Sequence, residues 1–204
     1  RETFLSGRLA NGVAWKAVRQ RAAPDGIVLT LRRRPSFECS LEELVREGTI
    51  SRSMSTFLGH CIGARMNIIV VGPRRSGVNR VLSALGDAAS SRQLLALEEH
   101  CNLAANAAEA VRLDASTASV DAARLVDFAG SLPETILLVE SLGGRWAPAV
   151  LEILSKGFEG VLAGIHAQTG EQGVSRLSSQ LCMMAPGITL ETARQSLMGS
   201  FDLV

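Results

Sequence analysis

Hydrophobic positions follow two different patterns along the chain of 204 residues, and the change falls near residue 38. Before that point, residues 13–18 alternate between apolar and polar side chains, and residues 26–31 form a second, mostly apolar run. A strong turn signal, Pro24-Asp-Gly26, separates the two segments. The pattern predicts a β-hairpin. We interpret residues 1–38 as the tail of an N-terminal domain together with its linker.

From residue 39 onward, the pattern predicts helices and strands in alternation. Ser40-Leu-Glu-Glu43 has the form of a capping box, which opens a short helix. Apolar residues at helical spacing predict a second helix over residues 53–65. Strands are then predicted near residues 66–71, 94–98, 109–113, 135–140 and 160–165, and helices near residues 78–87, 119–130, 146–156, 170–184 and 189–198. Such alternation is typical of an α/β fold with a mostly parallel sheet, assigned here to residues 39–204.

The composition narrows the class of protein further. Lysine and arginine total 21 against 20 acidic residues, a balance that disfavours a globally basic nucleic-acid binder. The four cysteines lack metal-binding spacing, so we expect small buried residues in a reducing compartment. No run of 18 apolar residues occurs, so no membrane span is predicted. The start lacks a signal-peptide pattern and a methionine, and the end resembles the beginning of a strand, so we expect a fragment.

The apolar run 66–71 leads directly into Gly72-Pro-Arg-Arg-Ser-Gly77-Val78-Asn79-Arg80. A strand, a glycine loop and a helix form the context of a phosphate-binding P-loop, whose consensus is Gly-x4-Gly-Lys-Ser/Thr. Both glycines have the required spacing. Val78 stands in place of the lysine, and Asn79 stands in place of the serine or threonine.

These two replacements remove the lysine and the hydroxyl side chain through which a P-loop binds phosphate and Mg²⁺. The lysine brings positive charge to the β- and γ-phosphates, and the hydroxyl binds Mg²⁺. Asn79 offers only a carbonyl oxygen on a longer side chain. The bulky Arg74 and Arg75 crowd the backbone N–H groups that cradle phosphate, although Arg75 or Arg80 could substitute for the lost cation. The alternative is a solvated basic loop that kept its fold and lost its nucleotide.

Further motifs occur in a fixed order along the chain. They are Ser40-Leu-Glu-Glu-Leu44, Ala64-Arg-Met-Asn-Ile68, Leu97-Glu98-Glu99, Ile136-Leu-Leu-Val-Glu140, Gly157-Phe-Glu-Gly-Val-Leu-Ala-Gly-Ile-His166-Ala167 and Arg176-Leu177. Together with the glycine loop, they resemble the type II/type IV secretion ATPase superfamily, most closely the CpaF-like ATPases of tight-adherence (Tad) pilus systems. The resemblance runs from about residue 7 to residue 204, and its nucleotide motifs are Walker A, the Asp box, Walker B and the His box.

The resemblance implies a RecA-like P-loop NTPase core and assigns candidate roles to several residues. By this resemblance, Glu98, Glu99 and Glu140 would polarise the attacking water or reach Mg²⁺ through water, and His166 would sense the γ-phosphate. The nucleotide-binding candidates are Gly72, Arg74, Arg75, Ser76, Gly77, Val78, Asn79, Arg80 and, from the linker cluster at residues 32–34, Arg34. No metal ligand is assigned firmly; Asn79 and Glu140 are the candidates if Mg²⁺ binds. The alternative is that the carboxylates are solvated strand ends and the arginines a solvated linker.

Several other positions also depart from the family pattern. The family arginines before and after the Walker B strand are missing here, Arg75 replaces a loop glycine, and Phe158 replaces the first His-box histidine. Phosphoryl transfer depends almost entirely on positioning and charge stabilisation, so these losses together favour a pseudo-ATPase.

The predicted function is therefore a structural or regulatory subunit of a type II/IV secretion or Tad-type pilus motor. The alternatives are an ATPase that uses arginine in place of the Walker lysine, and a switch that binds ATP or ADP without hydrolysis. The expected cofactor is either ATP with Mg²⁺ or none. The expected partners are other copies or an active paralogue in a hexamer, and inner-membrane platform proteins, with no nucleic acid. The expected location is the cytoplasm, with peripheral association at the inner membrane.

Overall fold

A small antiparallel sheet comes first in the structure, a computed structural model that describes residues 3–10, 13–18, 25–33, 39–89, 92–99, 103, 110–114, 121–185 and 187–204. Its strands are β1 (Phe4–Arg8), β2 (Ala14–Val18) and β3 (Val28–Arg32), in that order. The predicted hairpin is present as β2 and β3, but β1 was not predicted. Gly7 of β1 lies against the Trp15 ring, and a Cβ on Gly7 would come within 2.9 Å of it. The proposed boundary at residue 38 stays a prediction, because residues 34–38 lie outside the described residues.

Two short helices follow, and serine side chains determine where each begins. Helix α1 spans Leu41–Arg46, and the Ser40 hydroxyl accepts a hydrogen bond from the Glu43 N–H at 3.1 Å. Helix α2 spans Arg52–Gly63, and Ser51 caps it in the same way through the Met54 N–H. The start of α1 predicted at Ser40 is therefore confirmed as an N-cap, but the Glu43 side chain bonds Arg46 instead of closing the reciprocal half of the capping box.

The remaining elements alternate as the sequence predicts. They are β4 (Ile68–Gly72), α3 (Val78–Ala88), β5 (Gln93–Glu98), β6 (Val111–Asp114), α4 (Ala122–Ser131), β7 (Thr135–Val139), α5 (Trp146–Ser155), β8 (Val161–His166), α6 (Gly170–Met184) and α7 (Leu190–Ser200). The five later strands, β4 to β8, form one parallel sheet in the order β4-β8-β7-β5-β6. The predicted fold class, an α/β core with a parallel sheet, is confirmed.

Strand β4 lies at one end of this sheet rather than at its centre. Its side chains nevertheless pack on both faces of the sheet, since Ile68 packs with α1–α3 on one face and Ile69 packs with α4–α7 on the other. Leu203 forms a parallel bridge to Ile68, and the Ile69 N–H donates to the Leu203 carbonyl at 2.8 Å. These contacts explain why the sequence of β4 is apolar throughout, as in a central strand.

Two apolar layers cover the faces of the sheet. One is built by α4 to α7 and the other by α1 to α3. Cys39 and Cys61 are buried, as expected, whereas Cys182 is half-buried and Cys101 lies outside the described residues. Among the described helices, none is long and apolar enough to cross a membrane. Because all five strands are parallel, their carboxyl ends meet at one edge, where the candidate residues gather.

Candidate functional site

The loop between β4 and α3 contains two residues in the left-handed region of backbone space. Gly77, which precedes α3, has a φ of +98°, and Arg75 has a φ of +69°. This left-handed region favours glycine, and a residue with a Cβ adopts it at a cost of about 1 kcal/mol. At Gly72 an added Cβ would lie only 2.5 Å from the Ser76 Oγ, so the loop folds closely over that glycine. The loop therefore keeps two left-handed positions and a close approach over Gly72, and one of the left-handed positions is now an arginine.

Val78, at the lysine position, is a core residue. It is 4% exposed, and its methyl groups lie against glycines of two neighbouring strands. A Cβ added to Gly72 would come within 2.9 Å of one methyl, and a Cβ added to Gly164 within 3.2 Å of the other. The valine side chain thus occupies the space between the carboxyl ends of β4 and β8 and brings no charge to the loop.

Asn79, at the hydroxyl position, is half-buried with an unusual oxygen. Its Oδ1 is buried and has no hydrogen-bond partner among the described residues. Magnesium requires near-octahedral oxygen coordination, usually with one or two carboxylates. In the described part of the chain, no group of three acidic, histidine or cysteine side chains could hold a metal ion. Since Mg²⁺ beside a nucleotide needs only one or two protein oxygens, the predicted role of Asn79 and Glu140 as Mg²⁺ ligands stays a prediction.

The three arginines of the loop region differ in their surroundings. Arg74 and Arg75 are exposed, as is the side chain of Ser76 between them and Gly77. Arg80 forms an ion pair with Glu47, directly after α1. The hydrogen bond from Arg80 lowers the pKa of Glu47 and raises the pKa of Arg80 itself. The Cys39 thiol donates to the Arg80 carbonyl at 2.8 Å. Arg80 of α3 is therefore bonded to residues at both ends of α1.

The candidate carboxylates come together at the carboxyl edge of β5 and β7. Glu98 is fully buried, and its Oε1 lies 2.9 Å from the Arg112 Nη1 on the neighbouring strand β6. Glu140 is 2% exposed and accepts a hydrogen bond from the Glu99 N–H at 2.8 Å. The Glu99 side chain in turn accepts from the Trp146 indole N–H at 2.6 Å.

Each of these carboxylates therefore has a defined protein partner. Sequence reasoning missed the roles of Arg112 and Trp146. Trp146 is buried. A buried indole N–H requires a hydrogen-bond acceptor, and this requirement is the sequence signal for a polar partner of Trp146.

His166 ends β8 and stands opposite Gly72 in the register of the sheet. Its Nδ1 is buried without a hydrogen-bond partner in the described ranges. Its carbonyl accepts a hydrogen bond from the Arg176 Nη1 at 2.9 Å. A cavity of about 390 Å³ lies beside the P-loop, and its polar lining consists of Arg74, His166, Gln168, Gln172 and Arg176. The structure thus joins the P-loop and the His box around one basic cavity.

One nucleotide-binding candidate, Arg34, lies outside the described residues. Of the predicted site residues, Arg74 and His166 line one cavity. Gly72 ends β4, Gly77 precedes α3 and Val78 is the first residue of α3, so these three flank the loop beside that cavity. Arg176 was recognised only as part of a sequence motif, without a role.

Comparison with known proteins gives relatives in one family of secretion proteins. No protein-family model matches the chain. The chain is 31% identical over 153 residues to the "Probable conjugal transfer protein TrbB" of Sinorhizobium fredii, covering 72% of this chain and 46% of that protein. It is 29% identical over 157 residues to the conjugal transfer protein TrbB of Rhizobium radiobacter, covering 74% of this chain and 48% of that protein. The chain therefore spans about half the length of the curated relatives it matches.

Solved structures show the same fold. The VirB11 ATPase of the Brucella suis type IV secretion system superposes with a TM-score of 0.64 at 20% identity, covering all of this chain and 70% of that one. The ATPase DotB of Legionella pneumophila superposes with a TM-score of 0.66 at 17% identity, covering 97% of this chain and 54% of that one. With the ordered motifs and the TrbB relatives, this shared fold shows that the chain belongs to the type II/type IV secretion ATPase superfamily.

Proposed function

We propose that the chain is a catalytically silent, ATPase-like subunit of a type IV secretion or conjugal transfer machine. The observation that supports this most directly is the burial of Val78 between Gly72 and Gly164. The glycine spacing of a P-loop is retained, while Val78, at the position of the residue that brings charge to the phosphates, packs in the core. Loss of a cation that stabilises phosphoryl transfer typically lowers the rate by about 10³-fold or more.

The surroundings of the carboxylates support the same proposal. A carboxylate that activates water must face the reacting phosphate. Glu98 is instead paired with Arg112, and Glu140 accepts from the Glu99 N–H. Glu98 is fully buried and bonded to Arg112, so its carboxylate is directed at a protein partner rather than at solvent water. The proposal therefore extends beyond the P-loop to both acidic motifs.

The assembly is proposed from the relatives. Because the relatives are named as conjugal transfer proteins and a type IV secretion ATPase, we favour a conjugation-type machine over a Tad pilus motor. A CpaF-like role in a Tad pilus stays a prediction. In the proposed assembly the chain joins a hexamer with its own copies or with an active paralogue, at the cytoplasmic face of the inner membrane beside platform proteins. Nucleic acid is not an expected partner.

A second candidate is a nucleotide-binding subunit that does not hydrolyse ATP. It is favoured by the retained left-handed conformations at Arg75 and Gly77 and by the basic cavity beside them. In this alternative, arginines replace the Walker lysine in binding the nucleotide phosphates but do not support hydrolysis.

Steady-state hydrolysis of Mg·ATP by the purified chain tests the proposal. We expect no turnover above that of a preparation carrying Glu140→Gln, a control that exposes any contaminating ATPase. Turnover that is lost in the Glu140→Gln protein would refute the silent subunit. Equilibrium binding of labelled ATP then separates the two candidates, because the nucleotide-binding subunit requires saturable binding without turnover.

A gain-of-function variant tests whether the rest of the pocket is formed. The triple variant Arg75→Gly, Val78→Lys, Asn79→Thr restores the consensus loop, and we expect it to bind Mg·ATP at least 10-fold more tightly than the unmodified chain. The matched control is the double variant Arg75→Gly, Asn79→Thr, which lacks the lysine and should gain little. Equal affinities of all three proteins would show that more than the loop has been lost.

A further inference from the structure

We propose that strand β3 pairs in antiparallel fashion with β3 of a second copy of the chain. The pairing joins two three-stranded sheets into one sheet of six strands. Such a contact is two-fold, and it differs from the head-to-tail contacts that close a ring. It goes beyond the proposed function, because it involves none of the nucleotide motifs and holds whether or not ATP is hydrolysed.

Strand β3 has one open backbone edge. It is the last strand of the sheet β1-β2-β3, and among the described strands it pairs with β2 alone. An open edge presents a row of N–H and C=O groups on which another strand can form a ladder. Proteins commonly block such edges with lysine, proline or a bulge, but residues 28–31 contain no charged residue and no proline. The edge of β3 is therefore a template for pairing.

Apolar side chains on one face of β3 are exposed. Ile27 directly before the strand, Leu29 and Leu31 are 72%, 57% and 59% exposed, respectively. Side chains alternate between the two faces of a strand, so these three share a face. Leu29 and Leu31 stand opposite Ala17 and Trp15 of β2, which lie on the same face. This face carries an apolar surface out to the open edge, and such surfaces mark interaction sites.

Matching of the apolar faces limits the register of the pair. Residues directly opposite each other in an antiparallel pair point to the same face of the sheet. The apolar faces of both copies lie on one side only if odd-numbered residues of one β3 stand opposite odd-numbered residues of the other. Within the centre of the strand, this condition leaves Val28, Leu29 or Thr30 on the two-fold axis.

The charges at the two ends of the segment select Leu29 as the residue on the axis. Asp25 and Arg33 are both exposed, and they lie four residues before and four residues after Leu29. With Leu29 on the axis, Leu31 stands opposite Ile27 of the second copy, and Arg33 stands opposite Asp25. Symmetry repeats each of these contacts, so the pair gains two apolar matches and two opposite-charge pairs.

The other two registers lack this complementarity. With Val28 or Thr30 on the axis, a charged side chain stands opposite Leu31 or Ile27. The segment from residue 25 to residue 33 is therefore complementary to itself in one register, in both charge and apolar pattern. This self-complementarity favours a second copy over an unrelated strand as the partner.

Sedimentation velocity of the whole chain over a range of concentrations tests the contact. We expect a reversible monomer–dimer equilibrium. Leu29→Lys places two ammonium groups opposite each other on the axis, and it should weaken the dimer by about 10-fold or more. The control is Met198→Lys, a comparably exposed apolar position on α7, which should leave the equilibrium unchanged.

A charge exchange tests the partner and the register together. Arg33→Asp alone and Asp25→Arg alone each place like charges opposite each other twice, and each should weaken the dimer by about 3- to 10-fold. The double variant Asp25→Arg, Arg33→Asp restores opposite charges in both pairs and should return the affinity to within about 2-fold of the unmodified chain. Only a partner that carries the same two substitutions can give this recovery.

A chain that stays monomeric up to about 1 mM would overturn the inference. A dimer that Leu29→Lys leaves intact, or a double charge variant that dimerises no better than the single variants, would overturn it as well. Melting temperatures show whether each variant is folded. Addition of salt should weaken the dimer of the unmodified chain less than Leu29→Lys does, because the apolar contacts remain.

Discussion

The Arg112 guanidinium lies 2.9 Å from the carboxylate of Glu98, which is fully buried at the end of β5. The two residues come from neighbouring parallel strands, where Glu98 is opposite Asp114 and Ala96 is opposite Arg112. A buried carboxylate is tolerated only with a partner, since the cost of its desolvation is high. This pair therefore decides both the stability of the β5–β6 edge and the availability of Glu98 for chemistry.

Arg112→Ala should destabilise the protein by about 3 kcal/mol, because it leaves the Glu98 charge buried without this partner. Chemical denaturation measures the loss. Glu98→Gln combined with Arg112→Ala should recover part of it, since the buried charge is then removed. The matched control is Arg124→Ala, whose exposed side chain lies 4.0 Å from Asp121, and a change below about 0.5 kcal/mol is expected. Equal effects of both arginine variants would contradict the importance of the buried pair.

Gly164→Ala should destabilise the fold by about 1–3 kcal/mol through overpacking. The added Cβ would lie 2.8 Å from the Glu140 carbonyl oxygen and 3.2 Å from a Val78 methyl. The backbone oxygen cannot move aside freely, so adding Val78→Ala should relieve only part of the strain. Gly59→Ala on α2, where nothing lies within 4 Å of the added Cβ, should instead stabilise by up to about 1 kcal/mol. Denaturant unfolding of the unmodified chain, Gly164→Ala, Gly164→Ala with Val78→Ala, and Gly59→Ala measures these changes in stability. A Gly164→Ala protein as stable as the unmodified chain would rule out close packing at Gly164.

Local patterns were enough to predict the α/β core. Apolar runs and helical spacing located the strands and helices, and their alternation implied a mostly parallel sheet. The helix start at Ser40 was also correct, because N-capping involves only neighbouring residues, although only one half of the capping box forms. These features depend on contacts that are short in sequence or follow from the class of sheet.

The partners of the site residues could not be predicted, because they depend on strand order. Arg112 pairs with Glu98 only because β6 lies next to β5, and Val78 is buried only because β8 lies next to β4. The β1 strand was missed since Phe4–Arg8 is short and contains a glycine, and Trp15 on β2 completes its packing. Nothing local to any of these residues specifies its neighbour across the fold.

Arg75→Gly should stabilise the chain by about 1 kcal/mol, because the left-handed φ of +69° disfavours any residue with a Cβ. Thermal and chemical unfolding would both report the change. Arg74→Gly provides the comparison, since Arg74 lies outside the residues with positive φ and glycine adds only chain entropy to the unfolded state. That variant should be destabilised by roughly 0.5–1 kcal/mol. If both changes destabilise equally, the loop does not hold Arg75 in the left-handed region in solution.

The Glu47–Arg80 pair should contribute to stability at neutral pH and lose that contribution in acid. Arg80 lowers the pKa of Glu47 below its ordinary value of 4.5, so the folded state binds the proton more weakly than the unfolded chain does. The stabilisation is complete above pH 4.5 and disappears as the pH falls through the lowered pKa, because protonation then favours the unfolded chain.

Glu47→Gln should therefore flatten the acid limb of the stability profile, and Arg80→Gln should do the same. The double variant should be no flatter than either single variant, since the same interaction is removed in each case. Urea unfolding from pH 3 to pH 7 at low ionic strength gives the measurement, and added salt should weaken the effect because Glu47 is exposed. Additive effects of the two changes would indicate that each residue titrates or packs independently. Helix α1 would then be held to the P-loop helix by the Cys39 thiol and apolar contacts rather than by this ion pair.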